Sequence, residues 1–318
     1  MPIRDRDLQR HLFLAGAIAA CWGGLLACGT EDYQKPVAQF QTASSVVIAA
    51  TRTMLAHVNS VEQDNLIDQA IFGHKTIDIP QIRSYKLISP EEIDVRVKAL
   101  DALQAYASTL ASLAEGKNVS AISDQTRGLG QALGALSKQA ANLPVSQASF
   151  LKNADLGNAL KVVATGVGLV AEMVAQHKAQ AQLEKAIEGN QKPIGELIGL
   201  LAEELDGAYQ RQKATLSAEQ IYISKAYEQE RSESHPDPNA LLLLGDRMKS
   251  YLREREVLEA ADPAPSLRSM QAAHNALVAC AKSKHDPKSL RDLQNAAQGF
   301  VNEVQPFGQG IEALLNVK

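Results

Sequence analysis

Six histidines lie beyond residue 28: His57, His74, His177, His235, His274 and His285. A zinc-hydrolase helix carries two histidines four apart with a glutamate between them, so that both rings face one ion. No pair here has that spacing, and none of the six has an acid three residues further on. No metal and no cofactor is expected, and His235 and His285 sit in Asp/Pro turns where water solvates them. Two acid clusters, Glu203-Glu204-Asp206 and Glu254-Glu256-Glu259, would suit acid–base work if a pocket drove their pKa values apart. Each alternates with Arg, Leu and Ala at helical spacing, which is the pattern of a solvated face. Gly128, Gly130 and Gly134 follow no strand and so form no phosphate loop. Gly130 and Gly134 fall one turn apart and invite close approach of a neighbouring helix. No catalytic signature emerges, and the chain is not expected to be an enzyme.

The remaining chemistry is at cysteine. After a weakly basic start with Arg4, Arg6 and Arg10, residues 12–27 run without a charge. That run is short for a bilayer span, which needs about 20 apolar residues. A basic start, an apolar core and small residues before a cut site are the layout of a secretory signal. Leu25, Leu26 and Ala27 precede Cys28, and this stretch resembles the lipobox of bacterial lipoproteins. The resemblance covers residues 1–28 and implies diacylglycerol on Cys28, cleavage before it, and acylation of the new amino group. Each buried CH₂ of an acyl chain contributes about 0.8 kcal/mol, so several chains on one residue hold a protein on a membrane. Gly29, where an aspartate would favour the inner membrane, implies export to the outer membrane of a Gram-negative cell. The organisation expected is a cleaved signal peptide (1–27), a lipidated tether (28–35) and one domain (36–318).

Arg4, Arg6, Arg10, Asp5 and Asp7 leave with that leader, so the remainder carries 29 basic against 34 acidic residues. A mild acidic balance of mixed sign provides no concentrated basic face, and nucleic acid is not an expected partner. Cys280 alone stays available among the cysteines, so no intramolecular disulfide is expected; on its helix it reads as a small buried hydrophobe. Aromatics are scarce, and Ala, Leu, Gln, Glu and Lys abound, residues that lose little entropy in a helix. The fold class expected is all-α: an elongated up-and-down antiparallel bundle of about eight helices.

The elements that carry this expectation show apolar residues at three- and four-residue steps. Phe40, Ala43, Val47, Ala50, Met54, Val58 and Val61 mark a helix from Pro36 to about Ile71. Residues 72–90 read as an extended connector. Ser89-Pro90-Glu91-Glu92 is a capped start, and that helix should stop at Gly116. Further helices are expected over about 120–142 and 146–188. Another opens at Pro193 and reaches about Ser232, with a kink near Gln212 and Tyr227 on its apolar stripe. Asp237-Pro238 opens a helix to about Ala260 whose stripe includes Leu252. Residues 261–266 read as a break before a helix to Lys284. Asp286-Pro287 opens the last stretch, bent or broken at Pro306.

Residues 162–171 are apolar on every face, between Lys161 and Glu172. A helix buried on all sides of the bundle accounts for this. The stretch also looks superficially similar to the greasy Gly/Ala-rich hairpin of α-helical pore-forming toxins. The function expected is a lipid-anchored binding or scaffold module with a protein partner, on the periplasmic face of the outer membrane. A membrane-active protein is the alternative.

Overall fold

The computed structural model describes residues 31–116, 179–284 and 286–316, with positions 130, 131, 134, 135, 137, 138 and 161. Across these residues the chain is all-α: α1 (Glu31–Phe72), α2 (Ile79–Ser84), α3 (Pro90–Ala114), α4 (Ala179–Gly189), α5 (Gln191–Ser232), α6 (Pro238–Ala260), α7 (Pro263–Lys282) and α8 (Pro287–Asn316). The expected helical bundle forms. α1 and α5 have 42 residues each, about 63 Å at the α-helical rise, and they set its long dimension.

Helix starts follow local chemistry. Ser89 accepts from the Glu92 amide at 3.1 Å, and the Glu92 carboxylate accepts from the Ser89 amide at 2.9 Å. This reciprocal pair satisfies donors that a helix start leaves without partners. Asp237, Asp262 and Asp286 repeat a simpler device, each accepting at 2.9 Å from the amide two residues on. α3 is followed by Gly116 at φ +68°, a left-handed position that glycine takes without a Cβ clash.

Long-range packing changes several local expectations. α1 begins at Glu31, ahead of Pro36, because Tyr33 is already buried and its hydroxyl donates to the Leu277 carbonyl at 3.3 Å. The connector after Phe72 contains α2, where Asp78 caps by accepting from the Gln81 amide at 3.0 Å. α5 runs unbroken past Gln212, since Leu205, Ala208, Leu216, Glu219 and Ile223 keep one buried seam. Gln212 is a polar residue in that seam and not a change of phase. α8 continues through Pro306, which lies on the solvent side, where a carbonyl deprived of its amide partner meets water. The expected 261–266 break is only Ala261-Asp262, and α7 starts at Pro263. Leu252 and Tyr227, placed on apolar stripes from spacing, face solvent.

The directions of the helices follow from their cross-contacts. α1 is antiparallel to α3: Ser45 meets Gln104, Arg52 pairs with Asp101, and Asn59 bonds to the Ile88 carbonyl. It is parallel to α8, where Gln39 meets Gln298, the Phe40 and Phe300 rings lie 5.9 Å apart, and Val46 touches Gly308. It is also parallel to α5, where Glu62 pairs with Arg211 and Phe72 stacks on Tyr222. Along α5, Gln191 meets Lys282, Gly195 meets Gln271, Tyr209 lies within electrostatic reach of Asp262, and Gln220 bonds Tyr251. That order makes α6 and α7 one interrupted strut running against α5. Short connections were expected to reverse the chain, but at Ala261-Asp262 the helix is interrupted without turning back.

Candidate functional site

α8 lies in the furrow between α1 and the α6–α7 strut. At Gly310 the approach is so close that a Cβ would come within 2.8 Å of the Ala261 amide nitrogen and 2.9 Å of the Ala260 carbonyl. α8 is described to Asn316, beside α1, α5 and α6. Leu314 borders a cleft of about 520 Å³. Asp64, Asn65, Ile67 and Asp68 of α1 form one wall, and Arg247, Ser250 and Glu254 of α6 form the other. Gln212, Thr215, Leu216 and Glu219 of α5 form the floor. Spacings of three, four and seven put each set on a single helix face.

The charges converge on Arg247. Its Nη2 lies 2.5 Å from Glu219 Oε1 and 3.1 Å from Asp68 Oδ2, and its Nη1 lies 3.8 Å from Glu254 Oε1. One guanidinium is thus shared by carboxylates from α1, α5 and α6, and Asp64 brings another carboxylate to the same cleft. Glu219 is only 6% exposed. Burial pushes its carboxyl above the usual range; Arg247 pulls it down, and Asp68 and Glu254 push it up again. At the inner end Arg211 donates to Glu62 from Nη2 at 2.8 Å and from Nε at 3.3 Å. Two smaller voids, of about 40 and 20 Å³, continue inward along the α1–α5 seam, and the inner one reaches Arg96 and Glu204. A cleft rich in carboxylate, amide and hydroxyl oxygens, with the half-exposed Arg247 as the cation among its lining residues, is chemically fitted to hold cationic donors.

Leu25, Leu26, Ala27 and Cys28 lie outside the described residues, as do residues 162–171, Gly128, His177 and His285. No described atom crowds the Cβ position of Gly134. Cys280 is buried, as expected of a small core residue. His57, His74 and His235 are exposed. His274 is fully enclosed, its Nε2 3.3 Å from the Tyr106 hydroxyl. The acid clusters divide. Glu203 and Glu256 are exposed, and Glu259 pairs with Arg255 on the surface. Glu204 is instead buried, ion-paired with an equally buried Arg96 of α3, and Glu254 lines the cleft. A solvated face therefore describes only part of each cluster. Among the described residues no group of three or more His, Cys, Asp or Glu is placed to hold a metal ion. The cleft itself was missed in the sequence. Asp64 and Asp68 at i, i+4 mark its α1 wall, but only the third dimension sets them opposite Arg247.

No protein family, no curated protein and no solved structure matches the chain.

Proposed function

We propose that this protein is a membrane-anchored, non-catalytic binding module that holds the α1–α5–α6 cleft away from a lipid on Cys28. The observation that carries this reading is the placing of the two ends. α1 buries Tyr33 five residues after Cys28, a reach of at most about 17 Å of chain. The cleft residues Asp64 and Asp68 lie about 50 Å further along the same helix. A stiff bundle held at one end and concave at the other suits a protein that presents a surface to a protein partner in the periplasm. Metabolic labelling with a fatty-acid analogue tests the anchor: label should appear in the outer-membrane fraction and vanish with Cys28→Ser, which should also change processing and release the chain. An unlabelled product, or a Cys28→Ser chain that is processed and fractionates unchanged, overturns the reading.

A second reading, a membrane-active protein using residues 162–171, draws support from their described flanks. α3 ends beside the start of α1, and Glu184 of α4 lies within electrostatic reach of Tyr33. Both flanks thus share the anchored end. None of the described helices is long and apolar enough to cross a membrane. Dye leakage from liposomes that is lost on deleting 162–171, with helicity retained, would support this second reading. Absence of leakage from the intact chain would remove it.

A further inference from the structure

We infer that the hairpin from Ser224 of α5 to Ser250 of α6 is a hinged arm, a movable wall of the cleft, and that Arg247 is its latch on Asp68. This deepens the binding-module reading and rests on it. Between Ser224 and Ser250 no residue is buried, whereas Ile223 and Tyr251, which flank the hairpin, both belong to the core. The base is held together. Tyr251 donates to Gln220 Oε1 at 2.8 Å, and Phe72 of α1 stacks on Tyr222 with centroids 5.9 Å apart. Met248 leans on the core just above that base. Beyond it two antiparallel helices project without a buried side chain. Segments with few buried apolar contacts move or open at low free-energy cost.

Arg247 is placed to hold such an arm shut. Its Nη2 lies 3.1 Å from Asp68 Oδ2, which links the arm to α1, and 2.5 Å from Glu219 Oε1 of α5, below the base. The two carboxylates differ in burial: Glu219 is buried and Asp68 is half-exposed. A buried carboxylate that loses its cation is costly, whereas a pair open to water separates cheaply. When the arm swings outward, Arg247 therefore keeps Glu219 and gives up Asp68, which water solvates. Glu219 acts as the pivot of the latch and Asp68 sets the closed position. Opening moves Arg247 and Ser250 away from the α1 wall at Asp64 and Asp68 and widens the mouth of the cleft.

Distances between spin labels on the full chain in detergent test the latch. One pair joins exposed Gln69 of α1 to exposed Leu242 of the arm; a second joins Gln69 to exposed Asn275 of α7, outside the arm. A swing of about 20° over the roughly 14 Å of helix between Tyr251 and Leu242 moves the label by about 5 Å. The unaltered chain should give one Gln69–Leu242 distance. Asp68→Ala leaves Arg247 on Glu219 and should add a population about 5 Å longer, with the Gln69–Asn275 distance and the helicity unchanged. Asp101→Ala removes the surface pair between α1 and α3 and should add none. Three results overturn the inference: no longer population with Asp68→Ala, the same lengthening with Asp101→Ala, or a matching change at Gln69–Asn275. Fatty-acid labelling in cells reports separately on Cys28, so failure of the anchor and failure of the latch are told apart.

Discussion

His274 sits between Phe40 and Tyr106, with ring centroids 6.5 and 5.8 Å away and none of its surface in water. Burial lowers its pKa to about 4, against about 6.5 in an unfolded chain. The unfolded state therefore binds the extra proton first, and stability is lost as pH falls through that window. The loss should total about 3 kcal/mol between pH 6.5 and 4. Chemical denaturation of wild type and His274→Leu across that range checks it: the difference between the two should slope with pH, while carboxylates common to both cancel. Arg96 offers a second test at this scale. Its guanidinium donates to Glu204 and to the Glu92 carbonyl with almost no solvent access. Arg96→Met leaves the Glu204 carboxylate buried without its cation and should destabilise by about 3–5 kcal/mol. Replacing Glu204 by Leu in the same chain should recover most of that, as read by melting temperature. Neither residue was legible from spacing. Glu203 and Glu204 differ by one step around the helix, and that step separates solvent from core.

Helix starts were the most legible elements, because a cap and its amide partner lie within three residues of each other. Ser89-Pro90-Glu91-Glu92, Asp237-Pro238 and Asp286-Pro287 all start helices where local chemistry placed them. Interruptions were read less well, since proline and glutamine carry the same local signal whether or not the tertiary structure overrides it. Pro306 sits on the wet side of α8, and Gln212 borders a cleft instead of a kink. Close packing was invisible for the opposite reason: Gly310 is one glycine among twenty, and only the backbone of Ala260 and Ala261 gives it a role. Gly310→Ala should gain helix propensity yet lose stability by about 1–3 kcal/mol, because the atoms it meets are main chain and cannot step aside. Gly299→Ala, on the same helix with open space at its Cβ, should be stabilising by about 1 kcal/mol. Thermal melts of the pair separate the two effects.

For the whole molecule, helical class was legible in composition, and so was the antiparallel packing of α1 with α3 and of α5 with the strut; the continuation of α6 into α7 was not. The rule that brief connections reverse direction is sound for a loop, but Ala261-Asp262 is a cap between two collinear helices. Spin labels at exposed Asn239 and Lys282 should lie about 65 Å apart if α6 and α7 share one line. A separation under about 30 Å would mean that they fold back on each other. The glycine at the strut's interruption has a mechanical consequence. Seams built from small repeats tolerate slippage by a turn, a movement of about 5.4 Å. Sliding α8 by four residues would carry Pro306 or Leu314 to the notch now filled by Gly310, and neither side chain fits against a main-chain carbonyl at that spacing. The notch works as a detent: Gly310 holds α8 at one setting against the strut, and the helix cannot creep along its furrow by a turn.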